Sequence, residues 1–386
     1  MTRRDNGNAT YLVVHPGAEL FGSDRMALES VRGFVEHGAK VVVALPERGP
    51  LVDELRKAGA DVTVIPMLVL RKRLLSPAHW GELLGGLVRG TLAAVRVLRR
   101  WRPTAVYVST ITLPMWPLVG RAARIPVISH VHEAEASGSA LVNKVVYGPH
   151  LASRKLVVNS SFSLQTMSEA FPRLRDRTEI VYNGVEGPAN PSPPRAELDD
   201  LRVLFIGRLS PRKGPDVAIR ACNALQARGR SVRLTVLGSS FPGYEWFEQE
   251  LHTLAASARV GVDFLGFQPD IWPVLDRHDV LVVPSRLDEP FGNTAVEGVL
   301  GKRPVMASDT SGLREAARDY STTALVPPGD DDALADALEH VIRDWDTLRD
   351  QAEISAHDAS QRHSPSAYRE RVAGIVAAAC VGTHHR

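Results

Sequence analysis

Short apolar runs, each followed by a stretch long enough for a helix, constrain this chain more than any other feature. They lie at 11–14, 40–44, 62–65, 105–108, 127–129 and 156–159, and again at 203–206, 234–237, 262–265, 280–283, 305–307 and 324–326. Strands that alternate with helices imply a parallel sheet covered by helices on both faces. The rhythm breaks at 187–200, where Pro188, Pro191, Pro193 and Pro194 stand among polar residues, the composition of a linker. The expected fold class is α/β: two doubly wound, Rossmann-like parallel-sheet domains facing a central cleft, the first over 1–186 and the second over 201–365. Ligands of such sheets bind at the carboxyl ends of the strands. A last periodic stretch after Pro365, with Tyr368, Val372, Ile375, Val376 and Ala379 at helical spacing, makes 366–386 a C-terminal helix expected to pack back on the first domain.

A chain of 386 residues is long enough for two cores of ordinary size. Hydrophobic residues at 44% and charged residues at 23% are the balance of a globular protein without disordered tails. A formal charge of only +2 gives no reason to expect a nucleic-acid partner, so any basic function must be local. Cys222 and Cys380 stand apart with no metal-binding spacing, as in a protein of a reducing compartment. Residues 1–10 are polar, unlike the apolar centre of a signal peptide. Arg89 and Arg96 interrupt the best apolar window, so no membrane-spanning helix is expected. The expected location is cytoplasmic.

Residues 71–102 leave two readings open. Leu84, Val88, Thr91, Val95 and Leu98 fall on one helical face, with Arg89, Arg96 and Arg100 roughly opposite and Arg71-Lys72-Arg73 upstream. The segment is either an ordinary domain helix with a solvated basic face, or a basic amphipathic helix making peripheral contact with anionic lipid at the inner face of the membrane.

Two motifs carry chemistry. Gly207-Arg208-Leu209-Ser210-Pro211-Arg212-Lys213-Gly214 follows the run at 203–206 directly. Arg208 can grip phosphate oxygens with paired donors, and Lys213 adds a compact charge, together enough to neutralise a departing diphosphate. Arg212 is expected to point into solvent. The second motif is Glu289-Pro290-Phe291-Gly292-Asn293-Thr294-Ala295-Val296-Glu297. A helix starting near Gly292 or Asn293 would aim unpaired amides and a partial positive charge at an anion. Two carboxylates beside it suit hydroxyl pairs of a sugar or ribose; the competing reading makes Glu289 a capping acid and Glu297 a surface residue. His130 and His132 fall on one side of a strand by alternation, which does not choose between them. Asp330-Asp331-Asp332 follows Pro327-Pro328-Gly329 and reads as the acidic start of a helix, so no metal is required.

On these residues the chain resembles the retaining glycosyltransferases of family 4, whose fold is of the GT-B type. The resemblance implies that Gly207, Arg208 and Lys213 bind a diphosphate, that Glu289 touches the transferred sugar and that Glu297 holds the ribose. It brings the backbone amides of Gly292, Asn293 and Thr294 to the sugar and phosphate, counts Phe291 among the donor-binding residues, and puts Gly266-Phe267 near the nucleotide base. His132 matches a position that contacts the sugar, and Gly22 stands where many relatives carry two adjacent glycines, here Gly22-Ser23. Ser23 or Asp24 is expected to cap the helix that follows. Glu289, His132, Arg208 and Lys213 are thus the expected catalytic set. The resemblance further implies a UDP-, GDP- or dTDP-sugar as co-substrate with no tightly bound cofactor, and a glycan or lipid-linked acceptor in cell-envelope polysaccharide synthesis. A nucleotide-sugar epimerase of the same architecture and a non-catalytic nucleotide-binding relative are the competing functions.

Overall fold

Strands such as Ala105–Val108 and Val280–Val283 are buried along their whole length. Each Val or Leu so enclosed contributes about 1.5–3 kcal/mol relative to an exposed one, so a run that is apolar without alternation is most stable in the middle of a parallel sheet with both faces covered. The computed structural model describes residues 9–133, 140–241 and 243–381. The chain divides into two compact units, one of Met1–Gly184 with Pro365–Arg386 and the other of Val185–Ser364.

In unit 1 the strands are β1 (Thr10–Val14), β2 (Lys40–Leu45), β3 (Asp61–Val64), β4 (Ala105–Val108), β5 (Val127–Val131), β6 (Lys155–Val158) and β7 (Thr178–Ile180). They form one parallel sheet in the order β3-β2-β1-β4-β5-β6-β7. Its helices are α1 (Gly22–Glu36), α2 (Leu51–Lys57), α3 (Trp80–Trp101), α4 (Met115–Ala122), α5 (Ala140–Tyr147) and α6 (Ser161–Ala170). The edge strand β7 has no counterpart among the apolar runs of the sequence. Its Thr-Glu-Ile is half-buried throughout, and such a strand is defined by pairing with β6 rather than by its own composition.

In unit 2 the strands are β8 (Leu201–Ile206), β9 (Val232–Leu237), β10 (Gly261–Gly266), β11 (Val280–Val283), β12 (Val305–Ser308) and β13 (Thr323–Val326), in the order β10-β9-β8-β11-β12-β13. The helices are α7 (Pro215–Ala227), α8 (Glu245–Ser257), α9 (Trp272–Leu275), α10 (Asn293–Leu300), α11 (Ser311–Ala317), α12 (Asp331–Arg343) and α13 (Trp345–Arg362). Residues 187–200, expected as a linker, lie within unit 2 and are fastened to it. Arg195 forks onto the two carboxylate oxygens of Asp279 at 2.8 and 2.7 Å, and Arg303 donates to the carbonyl of Ser192 at 2.9 Å. Asp330 caps α12 by accepting the amide of Ala333 at 2.8 Å.

The final helix, α14 (Pro365–Cys380), belongs to unit 1. It buries Tyr368, Val372, Ile375, Val376 and Ala379 and packs against α1: the Tyr368 hydroxyl lies 2.9 Å from Ser30 Oγ, and Arg369 donates to Glu29 at 2.7 Å.

Helix α3 departs from its sequence pattern. Gly90, Ala93, Ala94, Val97 and Leu98 are the residues it buries. Of the apolar face expected from periodicity, Leu98 is inside, whereas Leu84 and Val88 are exposed together with Trp80, Leu87 and Leu92. Small residues let a helix approach its neighbours closely: a Cβ on Gly90 would lie 2.8 Å from the Met115 sulfur. No described helix is long and apolar enough to cross a membrane.

Candidate functional site

In unit 2 the strand order steps outward in opposite directions from β8 and β11. A crevice therefore opens at the carboxyl ends of this pair, the switch point where doubly wound sheets take their ligands. The loops that flank it are the two motifs singled out by sequence. Gly214 draws them together. Its φ is +68°, and a Cβ there would lie 2.1 Å from the carbonyl oxygen of Pro284, so any other residue must push the loop that carries Lys213 away from the loop that carries Glu289.

Lys213 Nζ lies 2.9 Å from Glu289 Oε1, and Ser285 Oγ donates to the same oxygen at 3.0 Å. Arg212 Nη2 is 3.7 Å from Glu289 Oε2 and donates to the carbonyl of Asp288 at 2.6 Å. The expectation that Arg212 points into solvent is thus corrected: it turns back onto the Glu289 loop. Glu289 is 6% exposed. Burial pushes its carboxyl up, but the charges of Lys213 and Arg212 and the hydrogen bonds from Lys213 and Ser285 outweigh burial and hold it below the ordinary carboxylate range. Glu289 is therefore an anion inside the protein.

The backbone of this loop is fixed from α11, where the amide of Gly312 donates to the carbonyl of Glu289 at 3.0 Å and Ser311 Oγ donates to Asp288 Oδ1 at 2.7 Å. Ser285, Arg212, Ser311 and Gly312 were missed by sequence reasoning. The position of Ser285, two residues past the apolar run 280–283, was a usable signal. Ser311 and Gly312 carry none, because they come from a different strand–helix turn.

Helix α10 begins at Asn293 with Gly292 as its cap, within the range expected. Asn293, Thr294 and Glu297 are half-buried in its first turns. The Phe291 ring is 3% exposed and packs edge-on against His363 at 5.5 Å, so it anchors the turn from within. Gly207 and Arg208 follow β8, and Arg208 is exposed, with its guanidinium carbon 3.4 Å from the centroid of the Phe241 ring. Gly266 and Phe267 close β10, where Gly266 accepts the amide of Gly238 at 2.9 Å and Phe267 is 52% exposed. Among the described residues no group of His, Cys, Asp and Glu is arranged to hold a metal.

Unit 1 has its own switch point, between β1 and β4, and His15 bridges it. Its Nδ1 is 2.5 Å from Ser109 Oγ and its Nε2 is 2.6 Å from Asp24 Oδ1. The other oxygen of Asp24 accepts the amide of Phe21 at 2.9 Å, so Asp24, not Ser23, caps α1, from inside its first turn. Gly22 is the exposed first residue of that helix. Past the end of β5, His132 is 7% exposed, and neither ring nitrogen has a hydrogen-bond partner among the described residues. Burial first, and the neighbouring His15 second, hold its pKa at about 3 against the opposing pull of Asp24. It is therefore a neutral imidazole at physiological pH, with one donor and one acceptor to offer. The structure separates it from His130, which lies deeper and is hydrogen-bonded through Nδ1 to the Tyr107 hydroxyl.

Comparison with known proteins places this geometry. Residues 22–186 match the family described as Glycosyltransferase Family 4, and residues 189–358 match Glycosyl transferases group 1. D-inositol 3-phosphate glycosyltransferase of Nocardia farcinica is 29% identical over 262 residues, 63% of this chain and 57% of that protein. Phosphatidyl-myo-inositol mannosyltransferase of Mycobacterium leprae is 29% identical over 352 residues, 86% of this chain and 89% of that protein. The chain thus spans little more than half the length of the first of these relatives. Among solved structures, Anabaena HepE in complex with UDP-glucose superposes with a TM-score of 0.80 at 20% identity, covering 96% of this chain and 99% of that one. Matches that run through both units, over two parallel sheets of the GT-B arrangement, make the chain a member of glycosyltransferase family 4.

Proposed function

We propose that this protein transfers a sugar, with retention of anomeric configuration, from a nucleoside-diphosphate sugar to a hydroxyl acceptor. The observation that carries the reading is the Lys213–Glu289 pair at the switch point of unit 2, a cation for phosphate held 2.9 Å from an ionised carboxylate for hydroxyls. Unit 2 is the donor unit and unit 1 the acceptor unit. Arg208, Lys213 and the first amides of α10, at Asn293 and Thr294, receive the diphosphate and stabilise its charge as it departs. Glu289 accepts hydrogen bonds from the sugar hydroxyls, Glu297 from the ribose. Gly266 and Phe267 lie against the base, while Gly22 lets the donor approach α1. The neutral imidazole of His132 binds a sugar hydroxyl.

Retention follows from attack on the face of the leaving group: the bond from the anomeric carbon to phosphate oxygen breaks, the bond to the acceptor oxygen forms, and the acceptor proton passes to the departing phosphate. Glu289 stabilises charge and makes no covalent intermediate. The complex of HepE with UDP-glucose favours a uridine diphosphate donor over the guanosine and thymidine alternatives. The phosphatidyl-myo-inositol mannosyltransferase favours a lipid-linked acceptor of the kind that enters a cell-envelope glycan. The exposed apolar side chains of α3, flanked by Arg89 and Arg96, suit peripheral contact with a membrane, which this reading takes to be its inner, cytoplasmic face.

A panel of UDP-, GDP- and dTDP-sugars tests the reading by thermal shift and by release of nucleoside diphosphate. The matching donor at about 100 times its Kd adds about 2.7 kcal/mol and raises the melting temperature by roughly 5–10 °C for units of this size. Absence of both shift and release with all three classes sinks the proposal, and a new sugar isomer formed from donor alone makes the protein an epimerase.

A further inference from the structure

The loop after β9 takes no part in the chemistry above, yet it is built against the diphosphate loop. At Gly238, with φ +145°, a Cβ would lie 1.8 Å from the carbonyl oxygen of Gly207, so the two backbones touch where only glycine fits. The amide of Gly207 donates to Leu237 and that of Leu209 to Ser239, each at 3.0 Å. On its far side the loop is tied to α8, because Ser240 Oγ donates to Glu248 at 2.5 Å, and it turns back on itself through the Tyr244 amide, which donates to the carbonyl of Phe241 at 2.9 Å. These contacts set the Phe241 ring under Arg208, whose guanidinium carbon is 3.4 Å from the ring centroid.

We propose that Phe241 is a positioning residue for the donor, a platform that holds the Arg208 guanidinium oriented to receive the diphosphate. The proposal rests on the reading of Arg208 as a phosphate ligand. A ring face attracts a cation through its quadrupole. The donors of a guanidinium lie in its plane, so a group seated on a ring face directs them sideways, toward a ligand at the strand ends. An arginine on an exposed loop otherwise loses side-chain freedom when phosphate binds; the platform removes part of that loss beforehand, the usual advantage of preorganisation.

The experiment titrates UDP, GDP and dTDP, each beside its nucleoside, into the wild-type protein and the variants F241L, F241W, R208A and R208A/F241L, with the melting temperature of each variant as a control on folding. For the diphosphate that wild type binds, F241L is expected to lose about 5–10-fold in affinity with nucleoside binding unchanged. F241W, which restores a ring face, stays within about twofold of wild type. The double variant binds no more weakly than R208A alone, because the ring acts through that arginine. Wild-type affinity in F241L beside a loss in R208A overturns the platform and leaves the phosphate reading standing. Wild-type affinity in R208A overturns both.

Discussion

Glu289 is charged where burial opposes charge, and Lys213, the nearer of the two cations that hold it there, is the one proposed to engage the diphosphate. In that proposal the site works by a single exchange: phosphate takes Lys213, and sugar hydroxyls take the carboxylate. Because the folded carboxyl sits below its ordinary range, its contribution is complete above that range and is lost only as pH falls through the lower, folded value. The rate is therefore expected to hold as pH falls through the usual carboxylate range and to decline below it. In E289Q, which keeps the shape and an acceptor for Ser285, turnover is expected to fall at least about 100-fold, while the thermal shift produced by the nucleoside diphosphate remains. Full turnover in a folded E289Q protein removes Glu289 from the chemistry. At this scale the sequence made Lys213 and Glu289 legible, because each follows an apolar run at a strand end. It did not make Arg212 or Phe291 legible. Nothing in Arg212-Lys213 says which cation turns back to the carbonyl of Asp288, and nothing in Glu289-Pro290-Phe291 says that the ring goes inward to meet His363.

The same contrast holds for whole elements. The six strands of unit 2 were each visible as apolar runs, the inner four because a central parallel strand is apolar on both faces, while β10 and β13 lie at the edges and carry apolar runs all the same. The edge strand β7 was invisible for the complementary reason, being half-solvated and short. Helix α3 was visible as a helix but not in its orientation. Its period was clear, yet the fold buries Gly90, Ala93, Ala94, Val97 and Leu98 and leaves Trp80, Leu84, Leu87 and Val88 outside. In the proposed membrane contact, this exposed apolar stripe bordered by arginines is the part of the molecule that meets the bilayer. Sedimentation with phosphatidylglycerol vesicles, but not with phosphatidylcholine vesicles, is expected for the wild-type protein, and it should weaken as salt is raised. L84E/V88E should reduce it at least about tenfold. Undiminished binding by that variant rules α3 out as the contact.

At the scale of the whole molecule, the chain leaves unit 1 at Gly184, builds all of unit 2 and returns to unit 1 at Pro365. The return was legible as a helical pattern but not its cost to unit 1 if lost. Tyr368, Val372, Ala373, Ile375, Val376 and Ala379 form part of the same core cluster as the strand residues Tyr11, Val13, Val41 and Tyr107. Each large one contributes about 1.5–3 kcal/mol, against a total stability of about 5–15 kcal/mol for a folded domain. A chain ending at Ser364 is therefore expected to lose the folded state of unit 1 and keep that of unit 2, read as a protease-resistant fragment over 185–364. A protease-resistant unit 1 in that truncation shows α14 to be dispensable.

The returning helix also fixes an order of assembly. During synthesis the sheet of unit 1 emerges from the ribosome first, whereas the helix that completes its core emerges last, after the whole of unit 2. Domains made of one continuous segment fold as they appear, and unit 2 is such a segment. Of the two units, the one whose sheet is translated earlier is consequently the one completed later, and throughout the synthesis of some 180 intervening residues its α1 face, around Ser30 and Phe34, must wait for its partner.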